Sequence, residues 1–181
     1  MAAEPLELDT RRRLYQHVLA HPGKYLRELQ RDVGMAMGSL EYHLDALAKA
    51  GLVTVLHDGN KRFFPNRMDA RDKRVLAFLR QELPRRALAI ALQEGSCSKT
   101  QMLGDLDAAP STLNHHLRHL VEAGLLVAAR DGREAVYEVG DPDAVLRLLV
   151  AYRSSLADRM VDKYLDGMDA MRSRPRTSQK V

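Results

Sequence analysis

Residues 111–140 read STLNHHLRHLVEAGLLVAARDGREAVYEVG, and residues 39–65 read SLEYHLDALAKAGLVTVLHDGNKRFFP. The two stretches carry one pattern twice, 73 positions apart: Leu40, His43, Leu44, Leu47, Ala50, Gly51, Leu52, Asp58 and Gly59 recur without a gap as Leu113, His116, Leu117, Leu120, Ala123, Gly124, Leu125, Asp131 and Gly132. In each copy leucines at i, i+4 and i+7 mark one face of a helix. A glycine follows, where a left-handed residue ends a helix at least cost. A short apolar run, an Asp-Gly turn and a second run then read as a hairpin, because Asp and Gly accept the positive φ angles of a tight turn. A period of this length is a small domain, not a solenoid unit. The 181 residues therefore divide into two modules of about 70 residues, each near the lower limit for an independent core.

Working outward, the first module is expected to span residues 1–67. Its first helix runs from Thr10 to Ala20 with Leu14, Val18 and Leu19 inward, and its second from Leu26 to Val33 with Leu26, Leu29 and Val33 inward. Gly34 ends the second. The third runs from Met37 to Ala50, and strands Leu52–His57 and Lys61–Phe64 flank Asp58-Gly59-Asn60. A linker helix over residues 68–83 carries Val75, Leu76, Phe78 and Leu79. The second module, 84–140, repeats the order: helix Arg85–Glu94 with Pro84 in its first turn, helix Lys99–Leu106 capped by Ser98, helix Pro110–Ala123, and strands Leu125–Arg130 and Glu134–Val139. Residues 141–171 read as one C-terminal helix that starts at Asp141-Pro142 and carries a stripe of Val145, Leu149, Tyr152, Leu156, Met160, Tyr164, Met168 and Met171. Residues 172–181 lack periodicity and read as a basic disordered tail. The fold class is mainly α with small β-hairpins.

Composition narrows the function classes. The apolar runs are short and broken by charge, so no membrane span is expected. The opening MAAEPLELDTRRR has no apolar h-region and is not expected to act as a signal peptide. Cys97 is the only cysteine; it permits neither an internal disulfide nor a thiolate cluster and fits a reducing cytoplasm. The net charge of +4 points to an anionic partner less firmly than its value suggests. Arg172, Arg174, Arg176 and Lys180 fall in the last ten residues; without them 24 basic residues face 24 acids. Any nucleic-acid reading therefore rests on where charge sits on the modules. No Ser/His/Asp spacing, phosphate-binding glycine loop or acid pair stands out, so no catalysis and no cofactor are expected.

Three helices followed by a hairpin is the order of a winged helix-turn-helix. The stretches GKYLRELQRDVGMAMGSLEYHLDALAKAGLV with HDGNKRFFP, and SCSKTQMLGDLDAAPSTLNHHLRHLVEAGLL with RDGREAVYE, resemble the winged helix-turn-helix regulators of the ArsR/MarR type. The tandem arrangement is similar to the tandem winged-helix transcriptional regulators common in archaea, over about residues 8 to 140. In such a domain the third helix enters the major groove, which admits one α-helix, and the hairpin, or wing, reaches the flanking DNA. The resemblance implies a cytoplasmic regulator that binds double-stranded DNA sequence-specifically. It puts Met37, Gly38, Ser39, Glu41 and Tyr42 at the groove-facing positions of the first module, and Pro110, Ser111, Thr112, Asn114, His115 and Arg118 at those of the second. Asn114 can pair with adenine through two hydrogen bonds, and Arg118 can hold a guanine or a phosphate. Ser111 and Thr112 suit phosphate contacts. Lys61, Arg62 and Arg133 are expected on the wings, either solvated or against the DNA backbone. The first module's third helix offers no cation, and its Lys24, Arg27 and Arg31 lie near the second helix, so base reading is expected mainly from the second module.

Other readings stand beside these. The recurring His43 and His116 are expected to pack within their modules. His115 and His119, at i, i+4, have a spacing able to bind zinc, but no third ligand is near in sequence and no metal is expected. Cys97 is expected to be buried. The C-terminal stripe is expected to pack within the chain or pair two chains into a homodimer. The different-class alternative is a tandem winged-helix scaffold for protein partners, favoured by the neutral body and the cation-poor first recognition helix.

Overall fold

A computed structural model describes residues 9–132 and 134–172, with side chains only up to Gly167 in the last helix. The chain divides into two units at the Arg80–Gln81 junction.

The first unit contains α1 (Asp9–Ala20), β1 (Lys24–Tyr25), α2 (Leu26–Val33), α3 (Met37–Lys49), β2 (Val53–His57), β3 (Lys61–Pro65) and α4 (Ala70–Leu79). Its core is Leu14 and Val18 of α1, Leu29 of α2, Leu40, Leu44 and Leu47 of α3, and Val53 and Phe63 of the sheet. Leu19, Leu26 and Val33, expected inward, are only half-buried. Gly51 sits at φ 69. Its N–H donates to Ala48 O, and Leu52 N–H to Leu47 O, each at 3.0 Å. This pair of bonds satisfies the last carbonyls of α3 and turns the chain into β2. Gly124, at φ 71, does the same for the second unit through Val121 O and Leu120 O.

The second unit contains α5 (Glu82–Glu94), β4 (Cys97–Ser98), α6 (Lys99–Asp105), α7 (Pro110–Glu122), β5 (Leu126–Asp131), β6 (Glu134–Val139), α8 (Pro142–Ala151), α9 (Arg153–Leu156) and α10 (Arg159–Arg172). Ser98 caps α6 reciprocally: its Oγ accepts from Gln101 N–H at 3.2 Å, and its N–H donates to Gln101 Oε1 at 2.7 Å. Each unit holds one antiparallel sheet of three strands, in the orders β1-β3-β2 and β4-β6-β5. The two-residue strands β1 and β4 have no sequence signature, since two residues show no alternation. The 73-residue repeat holds only up to the wing tip. Val53 pairs with Pro65 in the first sheet, whereas Leu126 pairs with Val139 in the second, so β6 stands 74 positions after β3 and the second wing is one residue longer.

Three expected helices are corrected. The linker helix ends at Leu79, and α5 begins at Glu82 instead of Arg85. The single C-terminal helix is three pieces. Ala157 takes a left-handed conformation at φ 46, and Asp158 opens α10 by accepting from Met160 N–H at 3.1 Å. The break shifts the buried stripe by one position: Ala144, Val145, Leu148, Leu149 and Leu156 precede it, and Val161 and Leu165 are buried after it, while Met160 and Tyr164 are half-exposed. Met168 and Met171 lie outside the described side chains. The C-terminal helices pack on α5, which buries Ala87, Leu88, Ala89, Ile90 and Ala91 in succession. The stripe is thus used within the chain.

Candidate nucleic-acid interface

In the second unit α7 is held by one face. Leu113, Leu117 and Leu120 are buried, and Pro110, Ser111, Thr112, Asn114, His115, Arg118 and His119 are exposed on the remainder. Ser111, Asn114, His115, Arg118, Val121 and Glu122 line an open groove of about 570 Å³, closed across by Ala128 of β5 and Tyr137 of β6. The groove brings together four of the expected contact residues, one turn after another along α7. Arg118 Nε lies 3.8 Å from Glu122 Oε1, both exposed, a separation at which an ion pair contributes little. From Pro110 to Val121 the helix carries no acid.

The wing contributes residues that sequence reasoning missed. Side chains alternate across a strand. Since Leu126 is buried and Ala128 lines the groove, Arg130 stands on the same strand face farther out, and it is exposed. The signal was the period of two counted from Leu126. Arg133, expected at this wing, lies outside the described residues, as do residues 173–181 of the basic tail.

The first unit presents a different surface. Gly38, Ser39, Glu41, Tyr42 and Asp45 of α3 are exposed, with Tyr42 at 64% and the Arg11 guanidinium over its ring at 5.8 Å. Lys61 is exposed on the wing, whereas Lys24 pairs with Asp32 beside His17.

Arg62 is corrected: it is a buried structural residue, not a wing contact. Its side chain is 1% exposed. Nε donates to Asp58 Oδ2 at 2.5 Å, Nη1 to Gly23 O at 2.9 Å, and Nη2 to the Tyr25 hydroxyl. The guanidinium also stacks over the Tyr25 ring at 3.8 Å. Alternation is again the reason. Lys61 and Arg62 are neighbours in β3, so they cannot share a face, and Arg62 is opposite Tyr25 in register.

The recurring histidines sit partly buried behind the exposed faces. Burial, then the charge of Arg11, holds His43 below the ordinary imidazole range; burial, then His115 and His119, does the same for His116. Cys97 is 1% exposed, and burial, followed by Glu94 and Asp105, pushes its thiol up to about 11. A thiol-specific reagent at pH 7.5 is therefore expected to leave folded protein unmodified and to label it fully in denaturant. Rapid labelling of the native state would show an accessible thiolate. Among the described residues no group of three or more His, Cys, Asp or Glu could hold a metal ion, and no helix is long and apolar enough to cross a membrane.

Residues 8–76 match a family profile described as an N-terminal HTH domain, and residues 85–127 match that of the bacterial regulatory proteins of the arsR family. The two units each show the winged helix-turn-helix arrangement of three helices and a hairpin, and the second is similar over residues 85–127 to the arsR family. An uncharacterized HTH-type transcriptional regulator of Methanocaldococcus jannaschii is 29% identical over 134 residues, a match covering 74% of this chain and 34% of that protein. The chain thus spans about a third of that relative's length. Among solved structures, an ArsR family transcriptional regulator is 16% identical, with a TM-score of 0.35, covering 58% of this chain and 94% of its own. A possible transcriptional regulator for arsenical resistance is 25% identical, with a TM-score of 0.33, covering 59% of this chain and all of its own. The ArsR-type profile stops at Val127, so it includes the α7 face of the second winged-helix domain and stops short of the wing tip.

Proposed function

We propose that the chain is a sequence-specific DNA-binding transcriptional regulator, cytoplasmic, whose second winged-helix domain reads the major groove. The observation that carries this reading is the exposed face of α7. A hydroxyl pair (Ser111, Thr112), an amide (Asn114), an imidazole (His115) and a guanidinium (Arg118) follow one another on a helix whose opposite face is locked into the core. Such a face supplies phosphate contacts at its start and base-edge donors behind them. Arg130, exposed farther out on the wing than Ala128, would supply a second point of contact.

Asn114→Ala and Arg118→Ala are each expected to weaken binding to the selected site by about 1–3 kcal/mol, the cost of losing one bidentate base contact. Lys61→Ala is expected to act alike on all sequences and to reduce the salt slope by about 0.9 if it meets a phosphate. The site itself would come from selecting genomic fragments with purified protein and sequencing them. Unchanged affinity in both α7 variants would remove the base-reading role from this helix.

The first domain favours a second reading for itself. Glu41 and Asp45 on the α3 face would be repelled by phosphate, and an exposed Tyr42 is suited to a protein surface. This domain is therefore the part of the chain fitted to a protein partner. Two modules in one chain can also stand in for the two halves of a homodimer. Sedimentation at micromolar concentration separates that arrangement from pairing through the C-terminal helices.

A further inference from the structure

The second recognition helix carries three adjoining imidazoles. The rings of His115 and His119 lie 4.3 Å apart by centroid, and those of His115 and His116 lie 5.5 Å apart. His115 lines the α7 groove, His119 is one turn on and exposed, and His116 is half-buried behind them. The first domain has no counterpart: in the repeat His115 corresponds to Tyr42 and His119 to Ala46, and only His43 matches His116.

We propose that DNA binding by the second domain is coupled to proton uptake at the His115–His119 pair, making this regulator's affinity pH-dependent. The inference rests on the DNA-binding reading above and adds its regulation. Two imidazoles in ring contact resist double protonation, since the first charge repels the second. The other groups facing the pair are few. Arg118 and Glu122 lie on the same helix, of opposite sign, the Tyr137 phenol stands across the groove on β6, and on β5, which also packs on α7, Arg130 is exposed farther out on the strand face of Ala128. Helices α5 and α6, packed against α7, contribute no side chain to the groove lining. A phosphate backbone entering the groove is then the dominant new charge. It favours the protonated pair, and by linkage a proton on the pair favours DNA.

The expected size follows from counterion release. One additional cation steepens log K against log salt by about 0.9, which amounts to roughly tenfold in affinity at 0.1 M salt relative to 1 M. A rise on the order of tenfold is therefore expected on going from pH 8 to pH 6.

The test is fluorescence anisotropy with a duplex carrying the selected site, at pH 6 and pH 8, in EDTA and over a salt series. The full chain is compared with His115→Gln/His119→Gln, and circular dichroism checks that the variant is folded. The inference predicts tighter binding and a steeper salt slope at pH 6 for the unmodified chain. It also predicts that the variant, whatever its affinity at pH 8, has the same affinity at pH 6 and so loses the pH response. Titration calorimetry in two buffers of different ionisation enthalpy should report net proton uptake on binding that is absent in the variant. Equal affinity and slope at both pH values would overturn the inference while leaving DNA binding intact, as would a variant that keeps the full response. No binding at either pH would overturn the DNA-binding reading and this inference with it.

Discussion

Asp158→Ala is expected to destabilise the second unit by about 3 kcal/mol, the low end of the usual cost of removing one member of a buried ion pair, since Arg86 keeps Glu82 as a partner. The carboxylate is 1% exposed and stands between two guanidinium groups of α5. Arg85 donates to Oδ2 through Nε at 3.0 Å and Nη2 at 2.7 Å, and Arg86 Nε donates to the same oxygen at 3.1 Å. Its other oxygen accepts from Met160 N–H at the start of α10. Removing it would leave Arg85, 9% exposed, with a buried charge that this carboxylate had paired, and would leave the α10 terminus without its acceptor. The sign with pH can be stated as well. Burial pushes this carboxyl up, but the hydrogen bonds and charges of Arg85 and then Arg86 outweigh it, and the group sits below the ordinary aspartate range. A depressed folded value means that the stabilisation is fully present above the unfolded value of about 4 and is lost as pH falls through the folded one. Urea unfolding at pH 7 and pH 3 should therefore show a gap between the parent and Asp158→Ala that is large at pH 7 and reduced at pH 3. A gap under about 1 kcal/mol at pH 7 would mean that α10 is held by Val161 and Leu165 alone.

Arg62→Ala is expected to cost the first unit about 3 kcal/mol and to leave DNA affinity of the folded protein unchanged. Three hydrogen bonds and the stack on Tyr25 depend on this one guanidinium. Without it the Gly23 carbonyl loses this donor, and Asp58, one-third exposed, keeps access to water; the loss is therefore nearer the low end of the range for a buried pair. Lys61→Ala, one residue away and exposed, should leave stability within about 0.5 kcal/mol. Thermal melts of both variants with DNA titrations on the folded material separate the roles. A stable Arg62→Ala protein that binds DNA less well would restore Arg62 to the wing surface.

The two residues mark where sequence reading stopped. Arg62 follows Lys61 in a run of charge at a turn, and both read as solvent-facing. The decision between them lay with Tyr25, distant in sequence and on a two-residue strand too short to show a period. Asp158 lies within a regular three-and-four apolar stripe, so the helix was read straight through it. The break became visible only with Arg85 and Arg86 brought from 73 and 72 residues away. On α7, by contrast, the leucine face and the polar face follow from spacing alone, and Ser111, Asn114, His115 and Arg118 stand together in the groove where the repeat put them.

The repeat determined the two modules, the helix order, the glycine stops and the face that each third helix presents. These depend on residues three or four positions apart, on single caps, or on two-residue turns, and local sequence contains all of that information. The tertiary structure decided which wing charge turns inward, where the C-terminal helix breaks, and which element its apolar stripe covers. Each of those depends on a partner far along the chain. A guanidinium enters the interior only where a ring, a carbonyl and a carboxylate arrive together to replace its water.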